Sequence, residues 1–146
     1  MTPKEYLRQA DRISREIKRI EEELYRLDQD ATHAGGIDYS KMRTQNHGTA
    51  DSLFARKVER ISELETELTE AREKRTIVRT KIVGQINGMD RGEYSDLLYK
   101  RYIEKKSLEA IAGEMGYAYG YIRRVHGLAL KAFGDQYPDE ISTAED

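Results

Sequence analysis

The sequence predicts an all-α protein, built as a long helical hairpin or coiled-coil arm followed by a three-helix helix-turn-helix module. Apolar residues recur every three or four positions along two long stretches, which is the period of one helix face. Charged residues make up 36% of the 146 residues and aromatic residues only 8%, a balance typical of helices with long solvated faces. We assign residues 1–89 to the arm, residues 90–134 to the module and residues 135–146 to an acidic tail.

The first long helix is predicted to begin at Thr2. The segment Thr2-Pro3-Lys4-Glu5 has the form of a capping box with proline at the first helical position. A narrow apolar seam then continues for about three heptads between flanking glutamates and arginines. A seam of this kind needs a partner helix, either from the same chain or from a second copy. The seam residues are Ala10, Ile13, Ile17, Ile20, Leu24 and Leu27.

The second long helix is predicted to begin near Asp51 or Ser52, which are both good N-caps. It shows the same alternation of apolar residues, interrupted by Arg75, and it is expected to end at Asn87-Gly88. Two helices of this pattern joined by a loop favour an antiparallel hairpin. The second seam consists of Ile61, Leu64, Leu68, Ala71, Val78 and Ile82, with Phe54 and Val58 near its start.

The segment at about residues 31–52 joins these two helices, and it is long and polar. A loop of that length is uncommon unless it is functional or disordered, and we expect disorder or a mobile excursion. His33 and His47 lie in it with Asp38 between them, but they have neither the tight spacing nor the additional strong ligand of a metal site. We therefore expect no metal and no cofactor.

Residues 108–127 have the spacing of two short helices that cross over a tight turn. Ala112 lies where the helices would touch and only a small side chain fits, and Gly116 falls at the turn, where a positive φ is often required. Ser107 is a good N-cap for the first helix, whereas Ala118 offers the second helix no capping side chain. An ordinary helical hairpin with the same packing is the alternative. The expected core is Leu97, Leu98, Ile103, Leu108, Ile111, Ala112, Met115, Ile122, Val125, Leu128 and Ala129.

The second helix of this pair carries arginines, tyrosines and glycines on the face turned away from the expected core. Arginine can contact guanine edges or phosphates, and tyrosine can contact sugars, phosphates or thymine methyl groups. Gly120 and Gly127 each cost about 1 kcal/mol relative to alanine inside a helix, which indicates close approach of the backbone to DNA or to another helix. His126 is expected to be partly buried, or to bind a phosphate when protonated. The candidate DNA-contacting residues are Ser107, Tyr119, Gly120, Tyr121, Arg123, Arg124, Gly127 and Lys131.

The segment before this pair adds a resemblance to a known family. Asp90-Arg91-Gly92-Glu93 has the form of a capping box that opens a further helix. From Tyr94 to Tyr117 the sequence resembles region four of bacterial sigma factors, in which the pattern L..RY..G.S..EIA..LG.S...V......AL..L reads the promoter −35 element. The whole chain resembles small phage and prophage proteins, among them late-gene regulators of the ArpU and RinA types. The matching residues are Leu98, Arg101, Tyr102, Ser107, Ile111, Ala112, Gly116, Val125, Ala129 and Leu130.

The resemblance implies a sequence-specific regulator of transcription that binds double-stranded DNA in the cytoplasm of a bacterial host, where RNA polymerase is a further possible partner. The net charge is −2 overall, but residues 90–134 hold 8 basic and 6 acidic side chains, and residues 135–146 hold 5 acidic and no basic ones. Mild basicity predicts modest, salt-sensitive affinity for DNA, which favours a dimer formed through the arm. The acidic tail is expected to be a solvated end or a contact for a basic partner.

Several classes of protein find no support in the sequence. The chain has no cysteine, which excludes disulfides and cysteine-based catalysis. It has no P-loop, Gly-x-Ser-x-Gly or His-Glu-x-x-His motif, so we expect no catalytic residues and no enzyme. No signal-peptide core and no membrane-spanning run is present. Two alternatives stay open: a DNA-packaging protein like the small terminase subunits of phages, which form rings, and a module that docks on polymerase without contacting DNA.

Overall fold

The protein is described here by a computed structural model that covers residues 1–33 and 47–143, with side chains described for residues 1–30 and 52–141. Every regular element in these ranges is helical and no strand occurs among them, which confirms the predicted all-α class. The elements are α1 (Pro3–Leu7), α2 (Gln9–His33), α3 (His47–Asn87), α4 (Gly92–Leu98), a π turn (Tyr99–Ile103), α5 (Leu108–Met115), α6 (Tyr119–Gln136) and α7 (Pro138–Thr143).

The loop predicted at about residues 31–52 is shorter at both ends than expected. Helix α2 continues to His33, and α3 already begins at His47, ahead of the expected start near Asp51 or Ser52. The remainder of the predicted loop, residues 34–46, lies outside the described residues. At its other end α3 stops at Asn87, where the sequence predicted the end.

Two compact units make up the chain, and their boundaries differ from the predicted ones. We name Met1–Arg12 together with Arg75–Asp146 the core unit, and Ile13–Lys74 the arm unit. The expected division fell between residues 89 and 90. The difference arises because both α1 and the last turns of α3 bury apolar side chains in the same cluster as α4, α5 and α6. Burying such side chains is the main favourable contribution to folding, so these segments belong with the module rather than with the arm.

The core unit contains one continuous apolar cluster. Helices α4, α5 and α6 supply most of it, and Tyr6 and Leu7 of α1 enter it from the other end of the sequence. Nearly all of the core expected for the module is buried or half-buried here, but Leu128 is 53% exposed. The buried members are Tyr6, Leu7, Ile82, Ile86, Met89, Tyr94, Leu97, Leu98, Tyr102, Ile111, Ala112, Ile122, Val125, Ala129 and Phe133.

Helix geometry explains why Leu128 is not part of this core. The buried residues of α6 are Ile122, Val125, Ala129 and Phe133, which span an arc of about 80° around the helix axis at 100° per residue. By the same geometry Leu128 lies roughly 120° from Ile122 and about 60° beyond Val125, outside the packed stripe. The prediction of Leu128 as core was therefore wrong, and the buried residues of the module that the prediction omitted are Tyr94, Tyr102 and Phe133.

In the arm unit, the seam residues from Ile13 to Leu27 and from Ile61 to Ala71 are buried or half-buried, whereas Phe54 and Val58, predicted near the start of the second seam, are exposed. Ile13, Ile17 and Leu64 are the most completely covered. Two ion pairs join the helices: Glu23 to Arg60 at 3.2 Å and Glu21 to Arg72 at 3.0 Å. Since the residue later in α2 pairs with the residue earlier in α3, the pairs follow the order of antiparallel helices. Both pairs are largely exposed, so each contributes at most about 1 kcal/mol.

The two ends of α1 are defined by its own residues. The side chain of Thr2 accepts a hydrogen bond from the backbone N–H of Glu5 at 3.2 Å, and the Glu5 carboxylate accepts one from the backbone N–H of Thr2 at 2.9 Å. This is the reciprocal capping box that the sequence predicted. The helix it opens is short, because the chain departs from helical geometry at Arg8 before α2 begins.

The capping box predicted at Asp90 is absent. Helix α4 begins one residue later than expected, with Arg91 at the N-cap and no side-chain capping bond. Glu93 is therefore the second residue of the helix, whereas the carboxylate of a capping box, which bonds to the backbone of the N-cap, belongs to the third. Its carboxylate instead accepts a hydrogen bond from the Tyr121 hydroxyl at 2.7 Å. Arg91 packs over the ring of Tyr94 at 4.9 Å from the ring centre.

The acidic tail is not a plain solvated end. Helix α6 runs on to Gln136 and α7 follows it almost directly. Glu140 accepts a hydrogen bond from Lys81 at 2.6 Å, and Ile141 packs against the core cluster. The Tyr137 hydroxyl donates to the backbone carbonyl of Gln85 at 2.8 Å. The tail is thus held through Ile141, because its sequence contains one apolar and one aromatic anchor among the acidic residues.

Candidate nucleic-acid interface

Helices α5 and α6 are joined by a turn of the kind that the sequence predicted. The Ser107 hydroxyl accepts a hydrogen bond from the backbone N–H of Ala110 at 3.1 Å and so caps the start of α5. Gly116 ends α5 with φ +74°, a left-handed conformation in which a side chain is strained. The backbone N–H of Tyr117 then closes the turn on the carbonyl of Ala112 at 2.9 Å. Ala118 stands at the N-cap of α6 without a side-chain bond, as expected.

The face of α6 opposite its buried stripe carries four of the candidate residues. At 100° per residue, Gly120, Arg124, Gly127 and Lys131 lie within about 40° of the direction opposite Ile122, and all four are exposed. We call this set the outer face of α6. The structure therefore places half of the predicted DNA-contacting residues on one accessible surface.

Three cations on α6 have no carboxylate partner among the described residues. Arg123, Arg124 and Lys131 are exposed, and none of them forms an ion pair in these ranges. Four lysines elsewhere in the core unit are paired: Lys81 with Glu140, Lys105 with Asp11, and Lys100 and Lys106 with Glu114. The two lysines at Glu114 hold the pKa of its carboxyl below the ordinary value. Helix α6 thus carries three exposed positive charges that have no internal counter-ion among the described residues.

The two glycines of the outer face have no internal explanation in the described parts of the chain. A Cβ atom built at Gly120 or at Gly127 would meet no atom within 4 Å. Close approach to another helix of the core unit was the structural alternative for these glycines, and the open space around them removes it. By contrast, a Cβ at Gly134, one heptad farther along α6, would lie 3.0 Å from the Cγ atom of Pro3.

The tyrosines of the candidate set are placed in two different ways. Tyr119 is 45% exposed, and the Arg123 guanidinium lies 5.9 Å from the centre of its ring. Tyr121 is half-buried on the other flank of α6, where its hydroxyl donates to Glu93 at 2.7 Å. That hydrogen bond raises the pKa of the Tyr121 hydroxyl. Tyr121 therefore serves the packing of α6 on α4, and Tyr117, whose ring centre is 4.8 Å from that of Tyr121, is the exposed aromatic residue there.

His126 lies on the inner flank of α6 and is partly buried. Its Nε2 atom and the Tyr102 hydroxyl are joined by a hydrogen bond of 2.9 Å, and the two rings stack at 5.8 Å. Burial lowers the pKa of the His126 imidazole, and the nearby charges of Arg101, Lys4 and Arg8 lower it further. The lowered pKa favours the neutral imidazole in the chain without DNA, which disfavours the phosphate contact considered for a protonated His126.

Sequence reasoning missed residues that border this surface. Leu128 is 53% exposed beside the outer face, and the 100° spacing of helix residues would have indicated this from the sequence. Lys4 in α1 and Arg8 directly after it also belong to the surroundings of this surface, because Pro3 and Tyr6 of α1 contact Gly134 and Phe133 of α6. No local signal indicates their position, because more than 100 residues separate them from α6 in the sequence.

Other kinds of site are not evident in the described parts of the chain. No group of three or more metal-ligating side chains comes together within those parts. The side chains of His33 and His47, and the whole of Asp38, lie outside them. None of the helices in the described ranges has the length and apolar character needed to cross a membrane.

Comparisons of this chain with protein-family models, with curated proteins and with solved structures gave no match.

Proposed function

We propose that this protein is a sequence-specific DNA-binding regulator of transcription, of phage origin and acting in the bacterial cytoplasm. In this proposal α5, the turn at Gly116 and α6 form a helix-turn-helix, and the outer face of α6 enters the major groove. Phosphate contacts fix the orientation, and the side chains of α6 that reach base edges provide specificity. The observation that carries the proposal is that two cations without a carboxylate partner among the described residues, Arg124 and Lys131, share one exposed face of α6 with the uncovered Gly120 and Gly127.

The contrast between paired and unpaired cations supports a nucleic-acid partner. Four lysines elsewhere in the core unit, Lys81, Lys100, Lys105 and Lys106, have carboxylates within 3.1 Å, whereas Arg123, Arg124 and Lys131 have none among the described residues. A protein that binds DNA needs cations that are free to neutralise phosphates. Arginine is also suited to bidentate contacts with guanine. Lys131 lies about two turns beyond the arginines, and in this proposal it contacts the phosphate backbone.

The test is selection of bound fragments from random duplex DNA, followed by titration of the preferred duplex. We expect Arg123→Ala or Arg124→Ala to weaken binding to that duplex by about 1–3 kcal/mol and to relax discrimination at one base position. Lys131→Ala should weaken binding to all duplexes by a similar factor. The matched control is Arg26→Ala, which removes an exposed cation from the arm unit. If the wild-type chain enriches no duplex, the proposal is rejected.

We further propose that the arm unit holds two copies of the chain together, or holds RNA polymerase. The module is only mildly basic, so a single copy is expected to bind DNA weakly at physiological salt. Near the start of the described part of α3, Leu53, Phe54 and Val58 are each about half exposed, and such apolar residues favour contact with a partner. Sedimentation should give the mass of a dimer. A ring of eight or more copies would favour the packaging alternative instead.

A second function is supported by one observation. Leu128, Tyr117 and Tyr119 are large apolar or aromatic side chains exposed near the outer face of α6. Aromatic and apolar residues of this kind favour a protein partner over phosphate. In that case the module would dock on RNA polymerase without contacting DNA. Retention on polymerase at high salt, where DNA contacts are weakened, together with its loss in Leu128→Ala, would favour this function.

A further inference from the structure

Helix α1 is fixed along one side of α6 by contacts that the module alone would not have. The Cγ atom of Pro3 lies 3.0 Å from the position of a Cβ at Gly134. The ring of Tyr6 lies 5.9 Å from that of Phe133, and the Tyr6 hydroxyl donates to Gln85 at 2.8 Å. Tyr6 is almost fully buried. Because these anchors lie on both α3 and α6, α1 has a defined position in the core unit.

That position is at one end of the outer face of α6. Gly120, Gly127 and Gly134 are spaced by seven residues, so they form a nearly straight row that drifts by about 20° per heptad. Pro3 covers the last glycine of the row, while the first two are open. Arg123 lies on the same flank of α6 as this row, at roughly 40° from Gly127 around the axis. Helix α1 therefore lies beside the C-terminal end of the proposed DNA-binding surface and leaves Gly120 and Gly127, nearer the start of α6, uncovered.

Two cations lie one turn apart at α1. Lys4 is in the helix and Arg8 directly follows it, and the backbone N–H of Arg8 donates to the carbonyl of Lys4 at 3.1 Å. Both side chains are exposed. Neither has a carboxylate partner among the described residues. The neighbouring Pro3 and Tyr6 contact Gly134 and Phe133 of α6, so Lys4 and Arg8 stand on a segment that packs against α6. Their charges add to the effect of burial in lowering the pKa of His126.

The acidic side chains nearest to these cations in the sequence are already engaged. The Glu5 carboxylate accepts the backbone hydrogen bond of Thr2 at 2.9 Å, and that bond is the main reason why the pKa of Glu5 is lowered. Asp11 is paired with Lys105 at 2.9 Å. An incoming anion would therefore not have to displace an internal partner from Lys4 or Arg8.

We propose that Lys4 and Arg8 of α1 form a second phosphate-binding patch, which contacts the DNA backbone beside the groove that α6 enters. This inference rests on the proposed function, because it assumes that α6 lies against a duplex. The occupant is the sugar-phosphate backbone of double-stranded DNA, favoured by the positive charge of the patch and by its place next to the outer face. The first helix of the chain would then belong to the DNA-binding surface rather than to a dimerisation arm.

If this patch contacts two phosphates, its removal should change the salt dependence of DNA binding by an amount that can be calculated. Each phosphate neutralised on a duplex contributes about 0.9 to the slope of log affinity against log salt. Removing both cations should therefore reduce the slope by about 1.8. Between 50 and 200 mM salt, the wild-type chain should lose about twelve-fold more affinity than the double variant Lys4→Gln/Arg8→Gln. Both side chains are exposed, so the thermal unfolding curve of the variant should be close to that of the wild-type chain.

The experiment is a salt titration of three full-length chains with one duplex, selected by the wild-type chain from random DNA. The chains are the wild type, Lys4→Gln/Arg8→Gln, and the control Arg19→Gln/Arg26→Gln, which removes the same charge from exposed positions of the arm unit. A slope reduced in the first variant and unchanged in the control supports the patch. Equal slopes for all three chains overturn it while leaving DNA binding by α6 intact. A wild-type chain that binds no duplex overturns both proposals.

A second measurement uses His126 as a reporter and does not depend on affinity. Phosphates near Lys4 and Arg8 would offset the charges that lower the pKa of His126. In the wild-type chain the pKa of His126, followed by NMR and assigned with His126→Gln, should rise when the duplex binds. In Lys4→Gln/Arg8→Gln it should begin higher and rise less on binding. A pKa of His126 that the duplex leaves unchanged in the wild-type chain contradicts the patch.

Discussion

Replacing Gly127 by alanine is expected to have opposite effects on the stability of the chain and on its binding to DNA, and so tests the outer face of α6. Gly127 lies in the interior of α6, where glycine is less favourable than alanine by about 0.8–1.0 kcal/mol. A Cβ atom added there meets nothing within 4 Å, so no steric cost offsets this gain. We therefore expect Gly127→Ala to raise the free energy of unfolding by about 1 kcal/mol. For a domain of 60 to 100 residues, this corresponds to roughly 4–8 °C in the melting temperature.

The same substitution should weaken DNA binding. If the backbone at Gly127 lies against a duplex, the added methyl group occupies space that the DNA would fill, and overpacking of this kind costs about 1–3 kcal/mol. Gly134→Ala is the matched control on the same helix. Its Cβ would lie 3.0 Å from Pro3, so the gain in helix propensity should be cancelled or exceeded, and the chain should not become more stable.

Urea unfolding followed by circular dichroism measures the first effect, and titration of the selected duplex measures the second. A stabilised Gly127→Ala chain with unchanged affinity would show that no DNA backbone approaches Gly127, and the close-contact part of the proposal would be wrong. If Gly127→Ala is less stable than the wild-type chain, the space around Gly127 is not open, and the outer face of α6 is not an accessible surface there. Only greater stability together with weaker binding agrees with the proposed interface.

Three further predictions concern the core unit. Lys105 has φ +58°, a left-handed conformation in which a side chain is strained, so Lys105→Gly should raise the free energy of unfolding by about 1 kcal/mol in urea titration. The loss of the exposed ion pair with Asp11 would reduce this gain slightly; unchanged or lower stability would refute the strain. Burial lowers the pKa of His126 in the folded chain, so its contribution to stability is complete above the unfolded pKa of about 6.5 and is lost as the pH falls through the folded pKa. Thermal melts between pH 7.5 and 5 should show this loss, and His126→Gln, which has no proton to gain there, should show a smaller one. Phe133 is fully buried, so Phe133→Ala should cost about 3–5 kcal/mol; a loss below 1 kcal/mol would contradict its place in the core.

Local features of this protein could be predicted from the sequence because neighbouring residues determine them. The caps at Thr2 and Ser107 and the left-handed turn at Gly116 depend on side chains and backbone groups within four residues. The helical seams followed from apolar periodicity, since the period of 3.6 residues is a property of the helix itself. The failure at Asp90 shows the limit of such signals, because a shift of one residue was enough to remove the reciprocal bond.

The exposure of individual candidates in α6 was only partly predictable. The exposure of Arg124, Gly127 and Lys131 follows from helix geometry once the buried stripe is known. The half-buried position of Tyr121 cannot be predicted in this way, because it depends on a hydrogen bond to Glu93 on α4, 28 residues away in the sequence. Spacing alone could not show which tyrosine would be drawn into the protein and which would stay exposed.

The sequence by itself determined the helices, their caps and the turn between α5 and α6, since these depend on short-range hydrogen bonding and periodicity. Only the tertiary structure decided that α1 packs on α6, that α7 returns to α3, and that Gly134 is covered while Gly127 is open. These outcomes depend on long-range burial, such as the contact of Tyr6 with Phe133. Many apolar pairs in a helical chain could satisfy the same periodicity, and three-dimensional packing selects one of them.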